Sequence, residues 1–468
     1  MLIFRLSDFI LRIRMFIYLT SFLLLLIYLV VDFDISIPFF VFFWLIIGNL
    51  IIYSSFSKEN FINSQRIFYV TFFTYLGFML LTKIFYIDNP FSDYFYVPDP
   101  ISFYERIFIF SQSNVYTGAN LLDFNNLNVI NHGTGLYYLG WAIGRISYAI
   151  GGINSPVIHN IVVVWGMAMI NVFLYNISRY FLDKQKSEVI AIAYGIFSYS
   201  LIFSSVLLRD QHVAFLIAIG FYIILGSFSV KKIILLLALA VITFIFRPTH
   251  GVYYLLLIVF YLYIPLKKYK ALIVLFSVIV LFLFIRFAKG SEFGENLVDR
   301  SQTYTEFHEE KATKAGGAAK LYGALPSFLH PPTRIFQSQI NPFSLLRVTV
   351  VKKKLTNTMQ YQYLSYAVSI GDFLWFVIWV IILYGLRKKY LRKSIPNSLF
   401  FAFLLAMTLL VLGGFSSFDN RRLLGVYPII YLTAMIILFN LTKVRRKIIV
   451  NIAVVVFISM GILLNILF

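Results

Sequence analysis

The sequence predicts an all-α polytopic membrane protein: about thirteen transmembrane helices, external interfacial helices and one long external loop. Three observations carry that expectation. Of 468 residues, 60% are hydrophobic and 13% charged, against about 45–50% apolar and about 25% charged in soluble chains. Apolar runs close to the ~20 residues that cross a bilayer recur along most of the chain. Lys and Arg gather in short clusters between those runs, as topology determinants do.

The runs lie at 15–32, 35–56, 67–87, 156–177, 188–207, 211–229, 231–246, 250–266, 270–287, 365–386, 397–413, 424–440 and 447–467. MLIFRLSDFILRIR leads into the first run with no small-residue cleavage pattern. Basic clusters fall at Arg5/Arg12/Arg14, Lys58/Arg66, Arg179/Lys184/Lys186, Lys231/Lys232, Lys267/Lys268/Lys270, 387–393 and 443–447. Facing all of them to the cytoplasm puts the N-terminus inside and the C-terminus outside. The segment GLYYLGWAIGRISYAIGG (135–152) would invert every later loop if it crossed the bilayer. With Arg145 at its middle, it reads as a helix lying on the outer face.

Four regions follow: an extra N-terminal hairpin (1–66), a core with the external loop 88–155 (67–287), a long external loop (288–364), and a C-terminal bundle (365–468). The formal charge of +20 is accounted for by these clusters and by contact with anionic lipid, so no nucleic-acid partner is expected. No cysteine is present, which excludes disulfides and Cys-based metal sites.

Under this layout the conspicuous polar residues face outward: Asp93, Asp99, Glu105, Arg106, His132, Arg209, Asp210, Arg247, His250, Arg334, Arg421 and Arg422. In SSVLLRDQHVAF (204–215), Arg209 and Asp210 stand at a hairpin corner between two runs, as a self-satisfied turn or as site residues facing a cavity. In DYFYVPDPISFYERIF (93–108), Pro98 and Pro100 bracket Asp99 ahead of an amphipathic stretch. That carboxylate reads either as a helix N-cap or as a general base. FRPTHGVYY (246–254) puts Arg247 and His250 at a run's end, and FSSFDNRRLLGVYP (415–428) puts Arg421 and Arg422 at another. An Arg there either holds phosphate oxygens with its planar fork or snorkels to lipid headgroups. HPPTR (330–334) is a rigid turn carrying His330 and Arg334, and His308 lies in the same loop. No HExxH, no His pair at i,i+4 and no nucleotide-binding glycine motif occurs, so neither a metal nor another cofactor is expected.

An Asp in the first long external loop, interfacial helices after it, and an acid in an external corner two runs later resemble the GT-C superfamily of polytopic glycosyltransferases. The spacing Asp99…Tyr104, Arg209–Asp210, Arg247–Pro248 and Arg421–Arg422 is similar, more narrowly, to Wzy-type O-antigen and capsule polymerases of bacteria. The resemblance covers residues 67–440 as a pattern. Two runs precede the first external loop, the DxD-like form is reduced to RD, and no C-terminal soluble domain follows.

The resemblance implies an inverting transfer of a glycan from polyprenyl pyrophosphate at the outer face of the inner membrane, with Asp99 and Asp210 as the catalytic carboxylates, and the departure to RD makes a metal-independent transfer the expectation. Tyr104, Arg209, Arg247, His250, His330, Arg334, Arg421 and Arg422 are then the substrate-binding set. A flippase and a chain-length regulator of the same pathway are the expected partners. The alternatives are a transferase using a polyprenyl-phosphate monosaccharide and a flippase of lipid-linked oligosaccharide.

Overall fold

The structure, a computed structural model, describes residues 9–85, 99–112, 134–263, 326, 329, 358–387, 395–415 and 424–467. Their regular structure is helical, with no strand among them. In chain order the helices are α1 (Arg14–Asp32), α2 (Ser36–Ser55), α3 (Lys58–Phe85), α4 (Asp99–Gln112), α5 (Thr134–Ala149), α6 (Pro156–Ser178), α7 (Lys184–Phe197), α8 (Tyr199–Phe203), α9 (Arg209–Leu225), α10 (Val230–Phe246), α11 (Pro248–Tyr263), α12 (Thr358–Arg387), α13 (Asn397–Phe415), α14 (Tyr427–Asn440) and α15 (Lys443–Leu467). Among the described residues, three stretches, Ser36–Ser55, Pro156–Ser178 and Ile370–Arg387, are long and apolar enough to cross a membrane, and four shorter apolar helices accompany them. The run at 270–287 and nearly all of 288–357 fall outside the described residues.

The chain divides into two units. The first comprises Met1–Tyr222, Ile245–Pro248 and Leu355–Gly371. Its axis is α6, buried from Val157 to Ser178 with no exposed face, which is the pattern of a helix enclosed on all sides. Ser155 caps it, its hydroxyl accepting from Val157 N at 3.3 Å, and Pro156 occupies the first turn, where its missing N–H costs nothing. α2, α3 and α7 pack around α6, and α1 packs on α3. Polar rungs fix the register. Asn171 Nδ2 donates to the Tyr75 hydroxyl at 2.8 Å, which donates to Gly195 O at 2.8 Å. One turn further along α6, Asn176 Nδ2 donates to Ser64 Oγ at 3.0 Å. On α2, Phe39, Phe42, Ile46, Leu50 and Tyr53 are exposed at helical spacing, a surface suited to lipid.

Unit 1 has two distinct ends. At one, Arg179 donates to Asn60 Oδ1 at 3.2 Å and to Glu59 Oε1 at 3.0 Å. Arg66 meets Glu188 there at 3.2 Å, and Tyr222 donates to Ser55 O at 3.3 Å. Asp183 caps α7 at this end. Burial works against its carboxylate, but the ammonium and backbone N–H of Lys186 outweigh that and hold its pKa below the usual range. The other end lies about 30 Å away along the 20 residues of α2 and carries the turn at Asp34. α5 stays at that end. Thr134 at its start donates to Ile245 O at 3.3 Å, and Ser147 near its finish donates to Ser36 Oγ at 2.8 Å. A helix whose two ends both rest there runs across the bundle end and does not pass through it.

The apolar run 188–207 does not form the continuous helix its composition suggests. α7 stops at Phe197 after 14 residues, about 21 Å. Ser198 is extended (φ −102°, ψ −179°), and its hydroxyl accepts from Ser200 N at 3.1 Å to start the five-residue α8. Residues 204–208 are then non-helical, yet buried.

The second unit comprises Ile223–Phe244, Thr249–Lys354 and Asp372–Phe468. α13 packs on α14, which is buried from Tyr427 to Phe439. The rings of Trp375 and Tyr427 lie 4.2 Å apart. A Cβ on Gly385 would come within 2.9 Å of the Ile437 side-chain tip, so glycine lets α12 approach α14 without that side chain shifting. The Tyr261 hydroxyl closes the turn before α10, donating to Ser227 O at 3.1 Å and accepting from Ser229 N at 2.8 Å.

Candidate functional site

The site is built at the start of α9. Irregular backbone in an apolar interior needs partners for its carbonyls, and two amides supply them. Gln211 Nε2 donates to Phe203 O at 2.9 Å and Val206 O at 3.1 Å, and Asn160 Nδ2 reaches Ser205 O at 3.5 Å. Neither Gln211 nor Asn160 is among the residues singled out in the sequence. What marks them is an amide beside a short polar break in an otherwise apolar run.

This bracing holds the first turn of α9 against the 245–247 corner. The Asp210 carboxylate forms an ion pair with the Arg247 guanidinium, and both side chains are buried. Two residues on, the His212 ring lies 5.4 Å from that of Phe246. The Arg209 guanidinium sits 5.9 Å over the Phe103 ring of α4. Successive residues of a helix point about 100° apart, so Arg209 and Asp210 do not face each other as their adjacency suggests. Of the two readings of this corner, the self-satisfied Arg209–Asp210 turn is therefore set aside: Asp210 is 6% exposed, and its partner comes from 247.

Tyr104, expected to bind substrate, is buried on α4, and its hydroxyl donates to Asn154 O at 2.7 Å. That hydrogen goes to the backbone, which makes Tyr104 a brace for the connection before α6. Asp99 is the first residue of α4. Glu105 and Arg106 on that helix are exposed, and Arg106 reaches the Tyr137 hydroxyl at 3.4 Å. His250, on the first turn of α11 in the second unit, is buried with its ring 4.8 Å from that of Tyr253. Asp93, His132, His308, His330, Arg334, Arg421 and Arg422 lie outside the described residues.

A second polar cluster was not anticipated at all. Asp34 stands in the short turn between α1 and α2 and is fully buried. Its Oδ1 accepts from Ser36 N at 3.0 Å, Ser36 Oγ at 2.5 Å and Ile153 N at 3.3 Å, and its Oδ2 accepts from Ser155 N at 3.0 Å. Asn154, at φ +59°, completes the knot. Its backbone N–H donates to Ser147 Oγ at 3.1 Å and its Nδ2 to Ser111 Oγ at 2.8 Å. Its Oδ1 lies 2.9 Å from His159 Nε2. Because the Asn154 amide donates to Ser111, its oxygen is left to accept, so His159 Nε2 carries the proton. The knot joins the α1–α2 turn, α4, α5 and the start of α6, and so fixes α4 and α5 to the bundle end.

Among the described residues, no three His, Asp or Glu side chains converge as metal ligands would. The chain matches no family model, no curated protein and no solved structure. Chemically, the corner offers a planar five-donor cation, a carboxylate at a helix start, where the helix dipole favours negative charge, and an imidazole.

Proposed function

We propose that this chain is a membrane-embedded glycosyltransferase with about thirteen spans. It acts at the outer face of the bacterial inner membrane and joins repeat units of a surface polysaccharide carried on polyprenyl pyrophosphate. The observation that supports the reading best is the Asp210–Arg247 pair at the start of α9, at the same end of unit 1 as the interfacial helices α4 and α5. An arginine there stabilises charge developing on a leaving pyrophosphate. Asp99, opening α4, serves as the base that takes the acceptor hydroxyl's proton. The basic residues Arg66 and Arg179, with Lys184 and Lys186, gather at the opposite end, and the positive-inside tendency turns that end to the cytoplasm. A polyprenyl tail stays in the bilayer while its headgroup reaches the corner.

Deleting the gene in its host tests the reading. Long surface glycan should disappear while single repeat units persist, and plasmid expression should restore the long chains. Unchanged chain length in the deletion would contradict it. A transferase using a polyprenyl-phosphate monosaccharide would instead leave the repeat unit itself short of a sugar.

A further inference from the structure

We infer that α5 carries a glycan-binding stripe, Tyr138–Trp141–Arg145–Tyr148, along which a saccharide chain lies with its rings packed on the aromatic side chains. This rests on the transferase reading for its role but not for its binding chemistry. Residues 138, 141, 145 and 148 recur at helical spacing and so share one face. At 3.6 residues per turn, α5 has three faces roughly 120° apart. The first is buried, with Gly140 under Ile107 of α4 and Ser147 against Ser36. The second, Leu139, Ala142 and Ile146, is aliphatic and at least half-exposed. The third is the stripe, on which Arg145 is exposed and the three rings are half-exposed.

A helix crossing the bundle end needs one aliphatic face for lipid, and Leu139, Ala142 and Ile146 supply it. The stripe has a different chemistry. Tyr and Trp join an apolar ring to a polar tip, which suits partners apolar on one side and wet on the other. A sugar ring is such a partner, because its C–H face packs flat on an aromatic ring and its hydroxyls project from the rim. Arg145, between Trp141 and Tyr148, carries a planar fork of donors for hydroxyl or carboxylate oxygens. The Tyr148 hydroxyl has no hydrogen-bond partner among the described residues, a cost that a ligand hydroxyl removes. The stripe starts one turn after Thr134, which donates to Ile245 O at 3.3 Å, two residues before Arg247. From Tyr138 to Tyr148 it extends about 15 Å, so a chain joined at that corner leaves along α5.

The test uses the full chain in phosphatidylcholine nanodiscs, titrated calorimetrically with the host's surface glycan freed from its lipid carrier. Trp141→Ala and Tyr138→Ala should each weaken binding about tenfold, the scale of one aromatic contact. Trp141→Phe keeps a ring and should stay within about threefold of wild type. Ile146→Ala, on the aliphatic face, should bind as wild type does. Equal losses in Ile146→Ala and Trp141→Ala, or none in either, overturn the stripe. A water-soluble maleimide should react with Arg145→Cys but not with Ile146→Cys, and saturating glycan should slow that reaction. An Arg145→Cys as silent as Ile146→Cys would place the stripe in lipid, and the assignment falls. In cells, Trp141→Ala at wild-type abundance should shorten the glycan ladder without abolishing it; a full-length ladder overturns the role. Binding as described in a chain whose deletion leaves glycan length unchanged would overturn the transferase reading alone. Loss of long glycan on deletion, with binding unaltered in Trp141→Ala and Tyr138→Ala, would overturn this stripe alone.

Discussion

Asp34 Oδ2 accepts the backbone N–H of Ser155 at 3.0 Å, across 121 positions of chain. This bond joins the turn between the first two helices to the start of the central helix α6. Through Ser36 and Ser147 it also carries the end of α5, so one carboxylate ties three elements together.

The knot is open to a direct geometric check. Ser36 Oγ and Ser147 Oγ lie 2.8 Å apart, and the chain has no cysteine of its own. Ser36→Cys/Ser147→Cys should form a disulfide under mild oxidation in isolated membranes, seen by mass spectrometry of the linked peptides. Recovery of both thiols free would mean that α5 does not end beside the α1–α2 turn.

Asp34→Ala removes the acceptor for three backbone N–H groups and one hydroxyl. Each buried donor left alone costs about 1–3 kcal/mol, so a large drop in thermal stability and membrane abundance is expected. Asp34→Asn retains one acceptor oxygen and should fall between the two. A wild-type melting temperature for Asp34→Ala would show that the knot carries no stability.

Sidedness follows from the same geometry. Ile150, next to the knot, and Ser57, at the other end of unit 1, are both exposed. Ile150→Cys should react with an impermeant thiol reagent added to intact cells, and Ser57→Cys only after lysis. Labelling of both from outside would break the separation of the two ends.

Most helices were legible because an apolar run near membrane length has few other ways to satisfy its backbone. α1, α2, α6, α10 and α11 begin and end within about three residues of the runs that announce them. The break at Ser198 was not legible. YSLIFSS keeps the apolar content of a span, and what stops the helix is a serine cap and two amides from elsewhere in the fold. Asp34 was hidden for a related reason, since its partners at 153 and 155 are far along the chain. Asp210 was noticed, and the pairing with adjacent Arg209 that was one of its two readings fails because sequence adjacency is a poor guide to contact on a helix. Arg247 stood out in the sequence as a candidate on the same face as Asp210, but nothing there showed that the two side chains pair.

Gln211 should be sensitive although it touches no charge. Gln211→Ala leaves the carbonyls of Phe203 and Val206 without their amide donor, at about 1–3 kcal/mol each. Gln211→Glu, which cannot donate when ionised, should do no better. Wild-type stability in both variants would remove the bracing role of this side chain.

The role of Asp99 as base separates from a capping role by one substitution. Asn still caps a helix, so Asp99→Asn costs folding little, about 1 kcal/mol or less. It takes up no proton, so transfer should fall by roughly 10²–10⁴-fold. Near-normal transfer at normal abundance would leave Asp99 as a cap.

The most direct measurement is glycan length in a deletion host complemented with Asp210→Asn/Arg247→Gln. This variant replaces a buried ion pair with neutral groups of similar size, so the protein should reach wild-type abundance in the membrane. A transferase that relies on Arg247 to stabilise a leaving pyrophosphate should then produce no polymer ladder, leaving single repeat units. A full ladder from this variant, at equal abundance, would contradict the account.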